Sequence, residues 1–315
     1  MPQSSINRYP SRPLFAFLLF LVFRAGVSGA TFTFVNKCDY TVWPGILGTP
    51  DLGTTGFELS KGSSRSFQAP TGWSGRFWGR TGCQFDSSGN GTCATADCGS
   101  GQVNCNGAGA SPPATLAEFT LGTASMDYYD VSLVDGYNLP MMVAASGGSG
   151  SCAATGCFAD LNRRCPMELR VKGGGACQSA CGAFGKPEYC CKGAFSNPST
   201  CKASVYSEIF KSACPKAYSY AYDDATSTFT CSNADYTVTF CTSPPSLKSS
   251  TDSGPKGTDS GSGASVEQSE LASTSWLADM ATATAAATQT RPYDVSFSVV
   301  LVFILSILVC GSLSY

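Results

Sequence analysis

The chain has 315 residues, 20 Lys+Arg against 22 Asp+Glu, and no histidine. The missing histidine excludes Cys/His zinc sites, histidine-activated nucleophiles and imidazole acid–base chemistry, so any catalysis must run on carboxylates, amines, phenols or hydroxyls. Between Ala30 and Cys241, 14 basic residues are set against 16 acidic ones with no basic stripe, which argues against nucleic acid as a partner.

The chain opens with Arg8 and Arg12, the apolar run "PLFAFLLFLVF" and the small residues of "RAGVSGA". This is the pattern of a secretory signal peptide over 1–29, with cleavage leaving Ala30 or Thr31 first; a retained membrane anchor is the competing reading. Export implies an oxidising environment in which paired cysteines persist. Of the 17 cysteines, 16 fall between Cys38 and Cys241 and the odd one, Cys310, lies in the apolar tail. An even set within one segment reads as a disulfide framework, and "GNGTCATADCGSGQVNC" therefore as a staple rather than a metal or redox site.

From 30 to 241, β patterns dominate. "ATFTFVNKC" alternates Phe32 and Phe34 against threonines. "YTVWPG", "RFWGRTGC", "TLAEFTLG", "DYYDVSLV", "LPMMVAA", "MELRVKG", "TSTFTC" and "DYTVTFC" are short, β-branched or aromatic runs bounded by turn residues, the mark of an antiparallel sandwich or barrel. "DYYDVSLVDGYNLPMMVAA" reads as a hairpin turning at Asp135-Gly136. One helix is predicted in "ASVYSEIFKSACP", with Val205, Tyr206, Ile209, Phe210 and Ala213 on one face and Pro215 as its stop. Asn90-Gly91-Thr92 is an N-glycosylation acceptor, whereas Asn197-Pro198-Ser199 is barred by proline.

Beyond Cys241 the composition shifts. Residues 242–294 are rich in Ser, Thr, Gly and Ala and read as a disordered linker. Residues 295–315 carry "VSFSVVLVFILSILVC", 16 apolar-rich residues that as a helix span roughly 24 Å. That is short of a bilayer core, and no basic residue follows. The pattern fits a GPI attachment signal, with attachment near Ala281–Ala286; a short transmembrane segment is the alternative.

With Gly91, Cys93, Thr95, Ala96, Asp97, Cys98, Gly101 and Cys105, the staple resembles the signature of thaumatin-like proteins, the plant family that includes osmotin and zeamatin. "TVWPG", "FWGRTGC", "TLAEF", "VSLVDGYNLPM", "CPMELRV", "EYCCKG", "ACPKAYSYAYDDATSTFTC" and "YTVTFC" resemble further landmarks in the family's order, across essentially all of 30–241. The resemblance implies a mainly β fold: a thaumatin-like antiparallel β-sandwich with two small disulfide-rich lobes and a cleft between the sandwich and the helical lobe. It also implies the pairing Cys38–Cys241, Cys83–Cys93, Cys98–Cys105, Cys152–Cys231, Cys157–Cys214, Cys165–Cys177, Cys181–Cys190 and Cys191–Cys201.

Antifungal members of that family line their cleft with an arginine and four carboxylates, which carry over to Arg76, Glu118, Asp130, Asp135 and Asp224, with Asp223 adjacent and the choice between Asp223 and Asp224 left open by the sequence. Each has a plainer reading. Asp135 suits a hairpin turn, Arg76 a structural ion pair, and Glu118 and Asp130 the solvated face of alternating strands. Asp97 reads as a residue that hydrogen-bonds its own loop.

Three functions follow from the resemblance. The first is a secreted, cell-surface defence protein that binds β-1,3-glucan through the acidic cleft. The second is a weak endo-β-1,3-glucanase using Glu118 and Asp130. The third is a surface receptor or structural module. The expected protein is a monomer without metal or cofactor, attached to the outer face of the plasma membrane through its tail or held in the cell wall. Its near-neutral charge predicts weak salt-sensitive attraction to anionic surfaces.

Overall fold

In the computed structural model, residues 29–123 and 125–242 are described. The alternation at the start of this region forms strand β1 (Thr31–Asn36), with Phe32 and Phe34 fully buried. The strands that follow are β2 (Trp43–Thr49), β3 (Ser64–Gln68), β4 (Ser74–Arg80), β5 (Gln84–Phe85), β6 (Gly91–Thr92), β7 (Leu116–Thr120) and β8 (Asp127–Ser132). The last four are β9 (Met141–Ser146), β10 (Thr155–Cys157), β11 (Phe229–Cys231) and β12 (Asp235–Phe240).

Two five-stranded sheets result, ordered β10-β9-β12-β1-β3 and β11-β8-β7-β4-β2, while β5 and β6 form a separate hairpin. Their inward faces meet in an aromatic core. Phe32 of the first sheet lies 4.8 Å from both Phe77 and Phe119 of the second, and Phe119 lies 5.1 Å from Tyr236. The fold is a mainly antiparallel β-sandwich with one parallel pair, β1 with β12. Because those strands run the same way, they end together, and Cys38 and Cys241 just beyond them close a bridge spanning 203 residues.

Seven further disulfides fasten the rest. Cys83–Cys93 and Cys98–Cys105 hold the loops around β5 and β6. Cys157–Cys214, Cys165–Cys177, Cys181–Cys190 and Cys191–Cys201 hold a second lobe, and Cys152–Cys231 ties the approach to β10 to β11. This second lobe contains α1 (Ala180–Phe184), α2 (Pro187–Cys190) and α3 (Val205–Ala213), and α4 (Asp224–Ser227) follows it. Only α3 is long enough to show a sequence period. The other three are helical segments of five residues or fewer, too short for periodicity to register.

Three local expectations change. The chain does turn at Leu133–Gly136, with Gly136 at φ 91°, but β8 and β9 belong to different sheets and do not pair as a hairpin. Tyr137 instead exchanges backbone hydrogen bonds with Cys177, and the buried Asn138 donates to Gly79 O and Thr95 Oγ1, carrying the chain from one sheet to the other. Helix α3 is rotated from its expected face. Phe210 is buried, with Tyr206 and Ala213 packed beside it, while Val205 is 67% and Ile209 37% exposed. "MELRVKG" is a 3₁₀ turn (Met167–Leu169), not a strand, since the 165–177 bridge and three glycines at positive φ (173–175) fold it back on itself.

Among the described residues no helix is long and apolar enough to cross a membrane. Residues 1–28 of the leader, the 243–294 part of the linker, the attachment region Ala281–Ala286 and the tail with Cys310 lie outside the described residues.

Candidate functional site

Strand alternation sets the site. In β4, β7 and β8, Phe77, Ala117, Phe119, Tyr129 and Val131 point into the sandwich, so their neighbours Arg76, Glu118 and Asp130 point to the outer face. The register then aligns them: Leu47 of β2 opposes Arg76, Arg76 opposes Glu118, and Glu118 opposes Asp130. Directly opposed residues project to the same side. A single row therefore crosses four strands, roughly 14 Å at ordinary strand spacing.

This is not the solvated face that alternation alone suggests. Glu118 is 6% and Asp130 0% exposed. The strand edge beside β8 is covered by the segment at Tyr218, whose amide donates to Val131 O and whose carbonyl accepts from Leu133 N. On the next outward row, Trp78 and Leu116 are buried beneath the loop carrying Ala96, Cys98 and Cys105. The charged row lies between these two covers.

Its electrostatics follow from that burial. Arg76 Nη1 stands 3.9 Å from Glu118 Oε1. Burial lifts Glu118 to a pKa of about 7; Arg76 opposes the rise and Asp135 adds to it. Asp130 is pushed well above the usual carboxylate range by burial, then by the charges of Glu118 and Asp224. Neither of its oxygens has a hydrogen-bond partner among the described residues. Asp135, half-buried in the inter-sheet turn, is also raised by burial, with Arg76 pulling it back. Two adjacent buried acids with one arginine nearby cannot both ionise cheaply, so near neutral pH the pair holds at least one proton.

Asp224, exposed at the start of α4, accepts a hydrogen bond from Tyr218 OH at 3.0 Å. Tyr218 OH also contacts Thr228 Oγ1. Its phenol is held far above the ordinary range, chiefly by burial, with Asp130 and Asp224 adding to the rise. Asp223 is engaged elsewhere: its Oδ2 takes Lys211 Nζ at 2.9 Å and the Ser219 amide at 3.0 Å, fastening α3 to the loop before α4.

The structure thus gathers Arg76, Glu118, Asp130, Asp135 and Asp224, and gives Asp223 a bracing position beside them. Asp97 lies near the fully buried Arg80, where its charge favours a guanidinium that burial lowers to about 10. Arg80 itself donates to Val103 O at 2.6 Å and Trp43 O at 3.0 Å, tying the loop after β6 to β2. Asn90 is exposed at the turn between β5 and β6. Sequence reasoning passed over Tyr218, Lys211 and Leu47. The tyrosines of "AYSYAYDDAT", just before the two aspartates, were the available signal for the first. Among the described residues, no group of three or more acidic or sulfur side chains is placed to hold a metal ion.

Comparison with known proteins adds the following. The family model described as Thaumatin family matches residues 36–242. Thaumatin-like protein 1 of Arabidopsis thaliana is 65% identical over 246 residues, 73% of this chain and 95% of that protein. Pathogenesis-related thaumatin-like protein 3.5 of Cryptomeria japonica is 59% identical over 71% of this chain and 95% of its own length. Pathogenesis-related protein 5 of Arabidopsis thaliana is 55% identical, again over 71% of this chain and 95% of that protein.

Proposed function

Since the chain belongs to the thaumatin family, we propose that it is a secreted defence protein that binds a neutral β-1,3-glucan-type polysaccharide along the Arg76–Glu118–Asp130 row. The names of two relatives contain "pathogenesis-related", which supports the defence reading. The row itself carries the binding reading. Sugar hydroxyls both donate and accept, and this site offers the Arg76 guanidinium as donor and the Asp135 and Asp224 carboxyls as acceptors at its surface, with the largely buried Glu118 carboxyl between them. Tyr220, partly exposed and close enough to Asp224 to feel its charge, adds an aromatic face at one end.

Binding is favoured over hydrolysis by the state of Asp130. A retaining glycosidase needs an ionised nucleophile and an acid with carboxyls ~5–5.5 Å apart. Glu118, with its pKa of about 7, suits the acid. Asp130 is fully buried and biased toward its neutral form, which suits a nucleophile poorly. The expected role of Asp130 is to stand beside Glu118 on the neighbouring strand and set its protonation.

The leader and tail extend the proposal to export and to a GPI anchor on the outer face of the plasma membrane. The test uses the full-chain protein on laminarin. Retention on the glucan without release of reducing sugar is expected. Hydrolysis that vanishes in Glu118→Gln would instead establish the enzyme, and absence of retention would remove the glucan reading. Release of the protein from intact cells by phospholipase C checks the anchor, and a spanning tail would resist it.

A further inference from the structure

The row of register partners continues past Arg76. Leu47, its register partner on the edge strand β2, also forms a wall of an open depression of ≈ 560 Å³ between the β2 edge and the loops at 51–55 and 104–107. That volume lies within the roughly 300–1,000 Å³ of ordinary ligand sites. We propose that this depression is a second carbohydrate subsite, taking the neutral, hydroxyl-rich continuation of a glucan chain whose other part lies over the carboxylates. The inference rests on the glucan reading above and adds where the chain runs and what holds it there.

The lining chemistry points to a sugar. Among the described residues Asp51 is the one charged side chain lining it, with no lysine or arginine, which argues against phosphate and other anionic ligands. The polar groups are fixed by bonds between the two loops. Asn104 Oδ1 accepts from the Thr55 amide at 3.3 Å and lies 3.0 Å from the Thr54 hydroxyl. Its –NH2 group has no hydrogen-bond partner among the described residues, and Asn104 lines the depression, so that group is the donor available to a ligand there. Asn106 donates its backbone N–H to Thr55 Oγ1 and its side-chain N–H to Gln102, leaving its Oδ1 as an acceptor. Asp51 is held by the Gly53 amide on one oxygen and offers the other. A donor and two acceptors around the apolar Leu47 match a pyranose, which has hydroxyls at its rim and C–H groups on its face. Each of these groups is already hydrogen-bonded to its own loop or the facing one before any ligand arrives, so binding orders little further.

The experiment compares laminaribiose with laminarihexaose, titrated calorimetrically into the full-chain protein and into the near-isosteric variant Asn104→Asp. For the unaltered protein the hexaose should bind about tenfold more tightly than the biose, the gain expected from one or two added hydrogen bonds. Asn104→Asp should abolish that gain and leave biose affinity unchanged. In parallel, the Asn104 side-chain amide resonances of the unaltered protein should shift with hexaose and not with biose, a readout independent of how the variant folds. Equal affinity for the two sugars, a length dependence untouched by the variant, or unmoved amide resonances would overturn the subsite while the glucan reading stands. Failure of the unaltered protein to bind either sugar would overturn both.

Discussion

A carboxyl group shut away from water prefers to be neutral, and at Glu118 that preference has a measurable sign. Its folded-state pKa of about 7 lies above the ordinary carboxyl value, so in the interval between them the folded protein holds a proton the unfolded chain has lost. The stability tied to Glu118 is therefore fully present below about pH 4 and falls as pH rises through 7. Glu118→Gln should remove that fall, raising stability relative to the parent by on the order of 3 kcal/mol above neutrality and by little near pH 4. Paired thermal melts across this range measure it, and an equal offset at both ends would contradict the assignment. The residue types were legible, since Arg76, Glu118, Asp130, Asp135 and Asp224 are picked out by family resemblance. Their environment was not. Alternation marks Glu118 and Asp130 as outward, but only the cover from segments remote in sequence makes that outward face dry.

At the scale of elements, α3 shows what local pattern can and cannot reach. Its start is written in the sequence: Ser204 accepts from the Ser207 amide and Ser207 Oγ accepts from the Ser204 amide, a reciprocal cap. Ser204→Ala should cost about 1 kcal/mol, read as a lowered chemical-denaturation midpoint. Its inward face was not legible. Val205, Ile209 and Phe210 are equally apolar, and the choice among them is made by Tyr206 packing tilted against Phe184 at 5.3 Å and edge-on to Tyr189 at 5.9 Å. The Asp135-Gly136 turn teaches the same lesson. Its residue chemistry fixes a reversal, while the partner of each strand depends on Cys177 and Gly79, far away in the chain.

For the whole molecule, the sandwich was legible because short alternating runs and an even cysteine set both survive without long-range information. The parallel join of β1 to β12 was not, because it pairs the two ends of the domain. The Cys38–Cys241 bridge locks that join, and closing so long a loop restricts the unfolded chain by roughly 5 kcal/mol in the chain-entropy account. Replacing both cysteines by serine should cost about 2–5 kcal/mol in stability, seen in calorimetry, and leave glucan retention intact at temperatures where the fold persists, since the charged row lies on the other sheet. The central claim is that this row is where sugar binds. Its most direct measurement is the affinity of the full-chain protein for laminarihexaose, set against that of the double variant Glu118→Gln, Asp224→Asn. The account predicts a loss of about a hundredfold, as replacing carboxyls in charge-assisted hydrogen bonds by neutral amides entails; equal affinity in a folded double variant would contradict it.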